Sequence, residues 1–266
     1  MLEIKDLRVS FQREKLPPAE VIHGVSVSLE RGETLGIVGE SGSGKSVLSL
    51  ATMGLLPQTA RATGQILFEG RDILTLPEAE MCRLRGNRIG MIFQEPMTAL
   101  NPAMRIGAQI AEGLILHKGM SRAQARAEAL RLLQMVQIPR AAERIDSFPH
   151  EMSGGQRQRV GVAIALALQP DLLIADEPTT ALDVTVQAEI LDILDDLVTD
   201  LGISLILISH DLGVIARIAD RTLVMYRGDE MEQGETERVL RQPSHAYTRK
   251  LLDAMPARVR ASLKEV

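Results

Sequence analysis

A chain of 266 residues that is 45% hydrophobic has ample apolar material for one large domain, or for a core with a subdomain. Its formal net charge of −5 argues against a nucleic-acid surface, which carries a basic face, and an aromatic content of 2% without Trp leaves few rings to stack on single-stranded bases. Cys82, the single cysteine, permits neither an internal disulfide nor a cysteine metal cluster and fits a reducing compartment.

The opening residues, Met1-Leu-Glu-Ile-Lys-Asp, carry acids and no apolar core of signal-peptide length, so the expected location is the cytoplasm. Residues 2–11 alternate apolar and polar with one break in phase, which suggests a half-buried strand near the edge of a sheet. Residues 12–20, charged and carrying Pro17-Pro18, read as a loop. Alternation resumes over 21–29, and Glu30-Arg31-Gly32-Glu33 turns the chain into the apolar run 35–38. A glycine-rich stretch, 39–46, follows, and then a helical segment, 47–56. Strands at 65–68 and 89–93 flank a polar helical segment at 77–85.

From 95 to 169 the texture is helical. The clearest helix, 121–137, opens with Ser121 and Gln124 in capping-box spacing and stops before Pro139. The runs 172–175 and 205–208 are continuous apolar segments of strand length, the pattern of parallel strands covered on both faces. Between them Val186, Ile190, Leu194, Leu197 and Leu201 recur at helical spacing and Gly202 supplies a stop, so strand, helix and strand imply a right-handed crossover. Residues 223–226 and 230–233 form a hairpin around Gly228-Asp229, followed by two short helices. The longest apolar stretch, 160–168 and then 172–175, is broken by Gln169-Pro170-Asp171 and is too short to span a bilayer, so any membrane role goes through a partner.

The chemistry starts at Gly39-Glu-Ser-Gly-Ser-Gly-Lys-Ser46, placed between a strand and a helix. In a phosphate-binding loop Gly39, Gly42 and Gly44 let the backbone turn tightly. Ser41, Ser43 and Val47 add N–H groups, and the helix N-terminus adds its partial positive charge. Lys45 then reaches the β and γ phosphates, and the Ser46 hydroxyl sits on Mg²⁺. Asp176-Glu177 ends the strand 172–175, at the edge where open α/β sheets place ligands. Asp176 suits Mg²⁺, and Glu177 suits a water attacking the γ-phosphate. His210 and Gln94 follow two further strands, so four polar groups lie at four strand ends. Ser153-Gly154-Gly155-Gln156 opens the helix at 160–168 as a second glycine-rich helix N-terminus; it could bind another anion or be a plain Ser153 N-cap.

These residues, in this order, resemble the ATPase subunits of ABC transporters over nearly the whole chain. Residues 39–46 look like the Walker A loop, Gln94 the Q-loop, Met152-Ser-Gly-Gly-Gln156 the signature, 172–177 the Walker B strand, Ala181-Leu182-Asp183 the D-loop and His210 the switch histidine. Phe11 would be the aromatic on adenine. Phe93-Gln-Glu-Pro-Met-Thr-Ala-Leu-Asn-Pro102, Pro149-His150-Glu151, the run 175–187 and His245-Ala-Tyr-Thr-Arg249 resemble the dipeptide, oligopeptide and nickel importer branch. Met152 replaces the usual leucine, a volume-conserving change.

The resemblance implies an α/β fold: a P-loop NTPase core with a mostly parallel sheet, an antiparallel β subdomain and an inserted α-helical subdomain. The expected division is 1–94 with 169–235 as the ATP-binding core, 95–168 as the signature subdomain and 236–266 as a helical tail. The implied activity is ATP hydrolysis driving import of peptides or related solutes, with ATP and Mg²⁺ as cofactors. Glu177, His210 and Gln94 would be catalytic, and Ser46, Gln94 and Asp176 would face the metal.

A head-to-tail dimer is implied, in which Ser153, Gly154, Gly155 and Gln156 cover the ATP of a second ATPase subunit or half. Two membrane permease subunits would dock on the segment 95–110, bounded by Glu95 and Ile110. A solute-binding protein would act indirectly, and the chain would sit peripherally on the cytoplasmic side of the inner membrane. Peptide-importer ATPases often carry a cysteine cluster beyond the position of His245, and here Cys82 is the only cysteine. That suggests a nickel-type or shorter subunit or, with a charged, linker-like 255–266, the first half of a tandem ATPase. The competing class is a soluble non-transport ABC ATPase; an ATP sensor without turnover predicts a non-acidic residue in place of Glu177.

Overall fold

Leu2, Ile4, Leu7 and Val9 are fully buried along one strand, and the break in their alternation is a β-bulge. Pairing shifts register between Ile4 and Leu7, Asp6 takes φ 44°, and its N–H donates to Ser26 Oγ at 2.9 Å. The computed structural model describes residues 1–14, 16–94, 99–180 and 183–255. They group into two units, Met1–Met81 with Ser204–Val266, and Cys82–Ile203. The linker-like residues 256–266, Ala181 and Leu182 of the D-loop, and 95–98 of the expected docking segment lie outside the described residues.

In the first unit β1 (Leu2–Arg13), β2 (Leu16–Leu29), β4 (Ala60–Phe68) and β5 (Arg71–Asp72), labelled in chain order, form an antiparallel sheet in the order β2-β1-β4-β5. β1 is half-buried and lies next to the edge strand β2, as expected. One expectation needs correction: the charged stretch 12–20 is largely strand, with Phe11 opposite Ala19 and Arg13 opposite Leu16. Pro17 and Pro18 are tolerated because β2 is the edge strand, where a missing N–H costs no ladder bond.

β3 (Thr34–Val38) is buried at every residue. It runs parallel between β8 (Ser204–Ser209) and β9 (Arg221–Tyr226), as continuous apolar strands require. The expected hairpin is present: β9 pairs antiparallel with β10 (Asp229–Glu235).

In the second unit β6 (Ile89–Ile92) pairs parallel with β7 (Leu172–Asp176), bringing Ile92 opposite Ala175. Following α1 (Lys45–Thr52) and α2 (Glu78–Leu84) in chain order, α3 (Ile106–Lys118), α4 (Arg122–Met135), α5 (Ala141–Arg144) and α6 (Gly154–Leu166) run between β6 and β7. α4 is capped as its sequence predicts, Ser121 and Gln124 each accepting from the other's backbone N–H. α7 (Val184–Leu201) starts on an Asp183 side chain that accepts from Val186 N at 3.0 Å and stops at Gly202 with φ 63°. The fold is thus α/β, with parallel strands, an antiparallel sheet and an inserted helical segment. Among the described residues no helix is long and apolar enough to cross a membrane.

The two short helices at the end are α9 (Thr236–Arg241) and α10 (Ala246–Asp253), following α8 (Leu212–Ile218) in the same unit. They are tied to β10 by Glu232. Its buried carboxylate accepts from Ser244 N at 2.8 Å, Ser244 Oγ at 2.7 Å and His245 N at 3.1 Å. Burial pushes the carboxyl up, but the hydrogen bonds from Ser244 and His245 outweigh it and bring the pKa down to about 2. A carboxylate with a depressed folded pKa stabilises above its unfolded value and loses that contribution as pH falls through the folded one. Thermal unfolding of Glu232→Gln should therefore lie below wild type at neutral pH, and the gap should close as pH falls from 4.5 toward 2. A gap that is constant with pH would rule out the carboxylate as its source.

Candidate functional site

The first unit carries the phosphate loop. β3 delivers the chain at Val38 and α1 (Lys45–Thr52) takes it away, with Gly44 at the helix N-cap in the left-handed region, φ 101°. A β-carbon is strained there, which accounts for glycine. Gly39 is glycine for a different reason: a β-carbon would lie 2.1 Å from the Met225 carbonyl oxygen and 2.7 Å from Ser43 Oγ. On the other side of the loop Gly228 N donates to Ser43 O at 3.0 Å. The segment from Met225 to Gly228 therefore braces the loop at both ends.

Lys45 is buried, and its ammonium donates to Gly39 O at 2.8 Å and Glu40 O at 3.0 Å. The charge is held over the loop by the loop's own carbonyls. Ser43 Oγ is buried without a hydrogen-bond partner, and nothing lies within 4 Å of a β-carbon position at Gly42. A buried cation, an unsatisfied hydroxyl and an open glycine face make a cradle that fits a polyphosphate. Ser46 and Val47 lie in the first turn of α1. His210 follows β8 and is exposed, one residue before Asp211, which caps α8 by accepting from Gly213 N at 2.7 Å. Phe11 lies in β1, opposite Ala60 of β4 as well as Ala19, and is partly exposed.

The second unit carries the acids. Asp176, the last residue of β7, is buried. Glu177 has φ 45°, a strained value for a non-glycine residue, and its side chain is held from two directions. Gln94 Nε2 donates to Glu177 Oε2 at 3.2 Å, and Thr180 Oγ1 donates to the same oxygen at 2.9 Å. Gln94 and Glu177, picked from sequence as polar residues after two strands, are thus brought together because β6 and β7 are neighbours. Thr179 and Gln187 add a brace, Gln187 Nε2 donating to Thr179 Oγ1 at 2.9 Å. Among the described residues no cluster of three or more His, Cys, Asp or Glu could hold a metal alone. Within the second unit Asp176 offers one hard carboxylate donor, of the kind Mg²⁺ takes together with phosphate oxygens and water.

The signature forms a capping box: Ser153 Oγ accepts from Gln156 N at 3.3 Å and Gln156 Oε1 accepts from Ser153 N at 3.2 Å. Gly154 and Gly155 occupy the first turn, Gly154 exposed and Gly155 half-buried. Met152 is buried, as the expected volume-conserving replacement requires. Sequence reasoning missed two features. The Met225–Tyr226–Arg227–Gly228 brace left no signal beyond the turn residues Gly228-Asp229. Tyr226 and Tyr247, the only tyrosines in the chain, stack with centroids 4.3 Å apart, and that scarcity was the available hint.

A strand, a glycine loop and a helix around a buried lysine define a P-loop nucleotide-binding protein. The ABC transporter family matches residues 22–180, and the oligopeptide/dipeptide transporter C-terminal region matches residues 231–264. The oligopeptide transport ATP-binding protein OppD of Salmonella typhimurium is 53% identical over 258 residues, 96% of this chain and 76% of that protein. The peptidoglycan transport ATP-binding protein YejF of Agrobacterium fabrum is 52% identical over 96% of this chain but only 47% of its own length. The dimeric ATP-binding cassette MJ0796 bound to ADP and Pi superposes with a TM-score of 0.79 at 27% identity, covering 89% of this chain and 99% of that one. The chain therefore belongs to the ABC transporter family and is one of its ATPase subunits.

Gly155 carries a prediction of its own. A β-carbon there would lie 2.5 Å from Val186 Cγ1, on the helix after the D-loop. Gly155→Ala should destabilise the protein by roughly 1–3 kcal/mol through overpacking, more than the about 1 kcal/mol that helix propensity returns. Adding Val186→Ala should recover most of the loss in a thermal melt. A Gly155→Ala protein as stable as wild type would contradict this steric account.

Proposed function

We propose that the chain binds and hydrolyses MgATP and couples hydrolysis to import of peptides or related solutes through separate membrane subunits. The observation that carries the reading is the phosphate cradle: buried Lys45 over the loop carbonyls, with Ser43 Oγ unsatisfied. Lys45 would exchange those carbonyls for β- and γ-phosphate oxygens, a charge-assisted contact stronger than the neutral one it replaces. Backbone N–H groups of Gly39, Ser41, Gly42, Ser43, Gly44, Ser46 and Val47 would line the phosphates, and Phe11 would face the adenine. Mg²⁺, when bound, would neutralise developing charge on the phosphates and draw on Ser46, Gln94 and Asp176. Glu177 would take a proton from the attacking water, while Gln94 and His210 would orient the water and the γ-phosphate.

The peptide assignment rests on the oligopeptide transport function of the relatives and on the oligopeptide/dipeptide C-terminal match. Ser153, Gly154, Gly155 and Gln156 would serve the γ-phosphate of a second ATPase subunit or half. Two permease subunits would dock on 95–110, placing the chain peripherally at the cytoplasmic side of the inner membrane.

Glu177→Gln should bind ATP and accumulate as an ATP-dependent dimer with turnover lost by about 10²–10⁴-fold. Wild-type phosphate release from that variant would falsify the general-base role. Lys45→Ala should lose nucleotide affinity itself, which a titration with labelled ATP reads directly; unchanged affinity would remove the lysine from the site. Arg105 lies 3.5 Å from Asp146 and 5.7 Å above the Phe148 ring. Arg105→Glu should therefore reduce transport more than ATP hydrolysis by the isolated chain, with a small stability loss from the broken pair. Equal loss of both activities would point to folding instead.

A further inference from the structure

The phosphate loop is braced by residues 225–228, and the middle of that brace is Tyr226. Met225 O closes the space at Gly39 and Gly228 N holds Ser43 O, so the Tyr226 backbone cannot shift without moving the loop. The Tyr226 ring is packed by Tyr247 of α10, centroids 4.3 Å apart and tilted by 33°. Tyr247 is also directed at the loop itself. Its hydroxyl is buried without a hydrogen-bond partner, and burial, with the nearby Glu40 carboxylate adding to it, raises its pKa. Glu40 is the second residue of the loop and supplies one of the two carbonyls that hold Lys45.

The start of α10 is in turn fixed. Glu232 holds Ser244 and His245, and His245 Nδ1 accepts from Tyr247 N at 3.1 Å. The path from Glu232 through His245, Tyr247 and Tyr226 to the loop lies within one unit.

We propose that Tyr247 is a positioning residue for the phosphate loop: the C-terminal helix sets the loop's geometry for nucleotide through the Tyr247–Tyr226 ring pair. The C-terminal segment is then part of the nucleotide site rather than an appendage. The proposal rests on the nucleotide reading of the loop. Removing the ring leaves Lys45, Ser46 and the acids in place and loosens the cradle, so the effect falls on nucleotide affinity rather than on the chemical step.

The test uses the full chain and MgATP, with Kd read by titration of a fluorescent ATP analogue and with kcat and KM read by phosphate release. Tyr247→Ala should raise Kd and KM about tenfold, an aromatic pair's contribution read as affinity, with kcat at saturating ATP within about twofold of wild type. Tyr247→Phe, which keeps the ring, should recover most of the affinity. Lys250→Ala, an exposed change on the same helix, should leave Kd unaltered. If Tyr247→Ala does not fold, Tyr247→Leu, which keeps apolar volume without a ring pair, is read in its place. Wild-type affinity in a folded Ala or Leu variant overturns the proposal, as does an equal loss in Lys250→Ala or a fall in kcat without a change in KM. Failure of wild type itself to bind the analogue would instead overturn the nucleotide reading, so the two outcomes are separable.

Discussion

A single carbon atom cannot be added at Gly39, because the carbonyl of Met225 already occupies its place. That close approach fixes where the phosphate loop leaves β3, and the rest of the cradle follows from it. With the loop's exit set by β9 and its turn held by Gly228, the carbonyls of Gly39 and Glu40 converge on one point, and Lys45 fills it. A buried ammonium is costly unless it is hydrogen-bonded, so the loop carbonyls stabilise the lysine while the lysine holds the loop closed. A loop whose backbone is already held in this way is preorganised, which is how an anion site avoids a reorganisation cost on binding.

The same economy operates in the second unit, with side chains instead of backbone. Glu177 sits at a left-handed φ that a non-glycine residue keeps only when its surroundings over-determine it. Thr180 and Gln94 supply that constraint by donating to one carboxylate oxygen. Gln94 reaches it because parallel pairing aligns the ends of β6 and β7, Ile92 beside Ala175. Strand register, not local sequence, puts Gln94 and Glu177 together.

This difference explains what could be read from the sequence. The phosphate loop, the capping boxes at Ser121 and Ser153, the stop at Gly202 and the hairpin at Gly228 are local, and each was legible because a few adjacent residues determine it. The buried parallel strands were legible as unbroken apolar runs. The stretch 12–20 misled because charge and two prolines signal a loop, yet an edge strand tolerates both. β1 was legible as a half-buried strand because alternation reports its one covered face. The brace behind the loop was not legible, because it joins residues 39–43 to 225–228, and no local pattern records a contact between segments so far apart.

The C-terminal segment shows how a distant contact and a local one combine. Glu232 is a carboxylate in a strand and would be read as a solvated charge, but it is buried and stays ionised by collecting donors beside the Arg238 guanidinium 3.6 Å away. Those donors are the free N–H groups and hydroxyl at the approach to α10, which a short helix exposes and must satisfy somewhere. The acid and the helix start therefore answer each other's need, and the helix is fixed in register against β10. On that helix the second of the chain's two tyrosines packs against the first. The tyrosine pair thus lies between a helix start held by a buried charge in β10 and the segment that braces the phosphate loop.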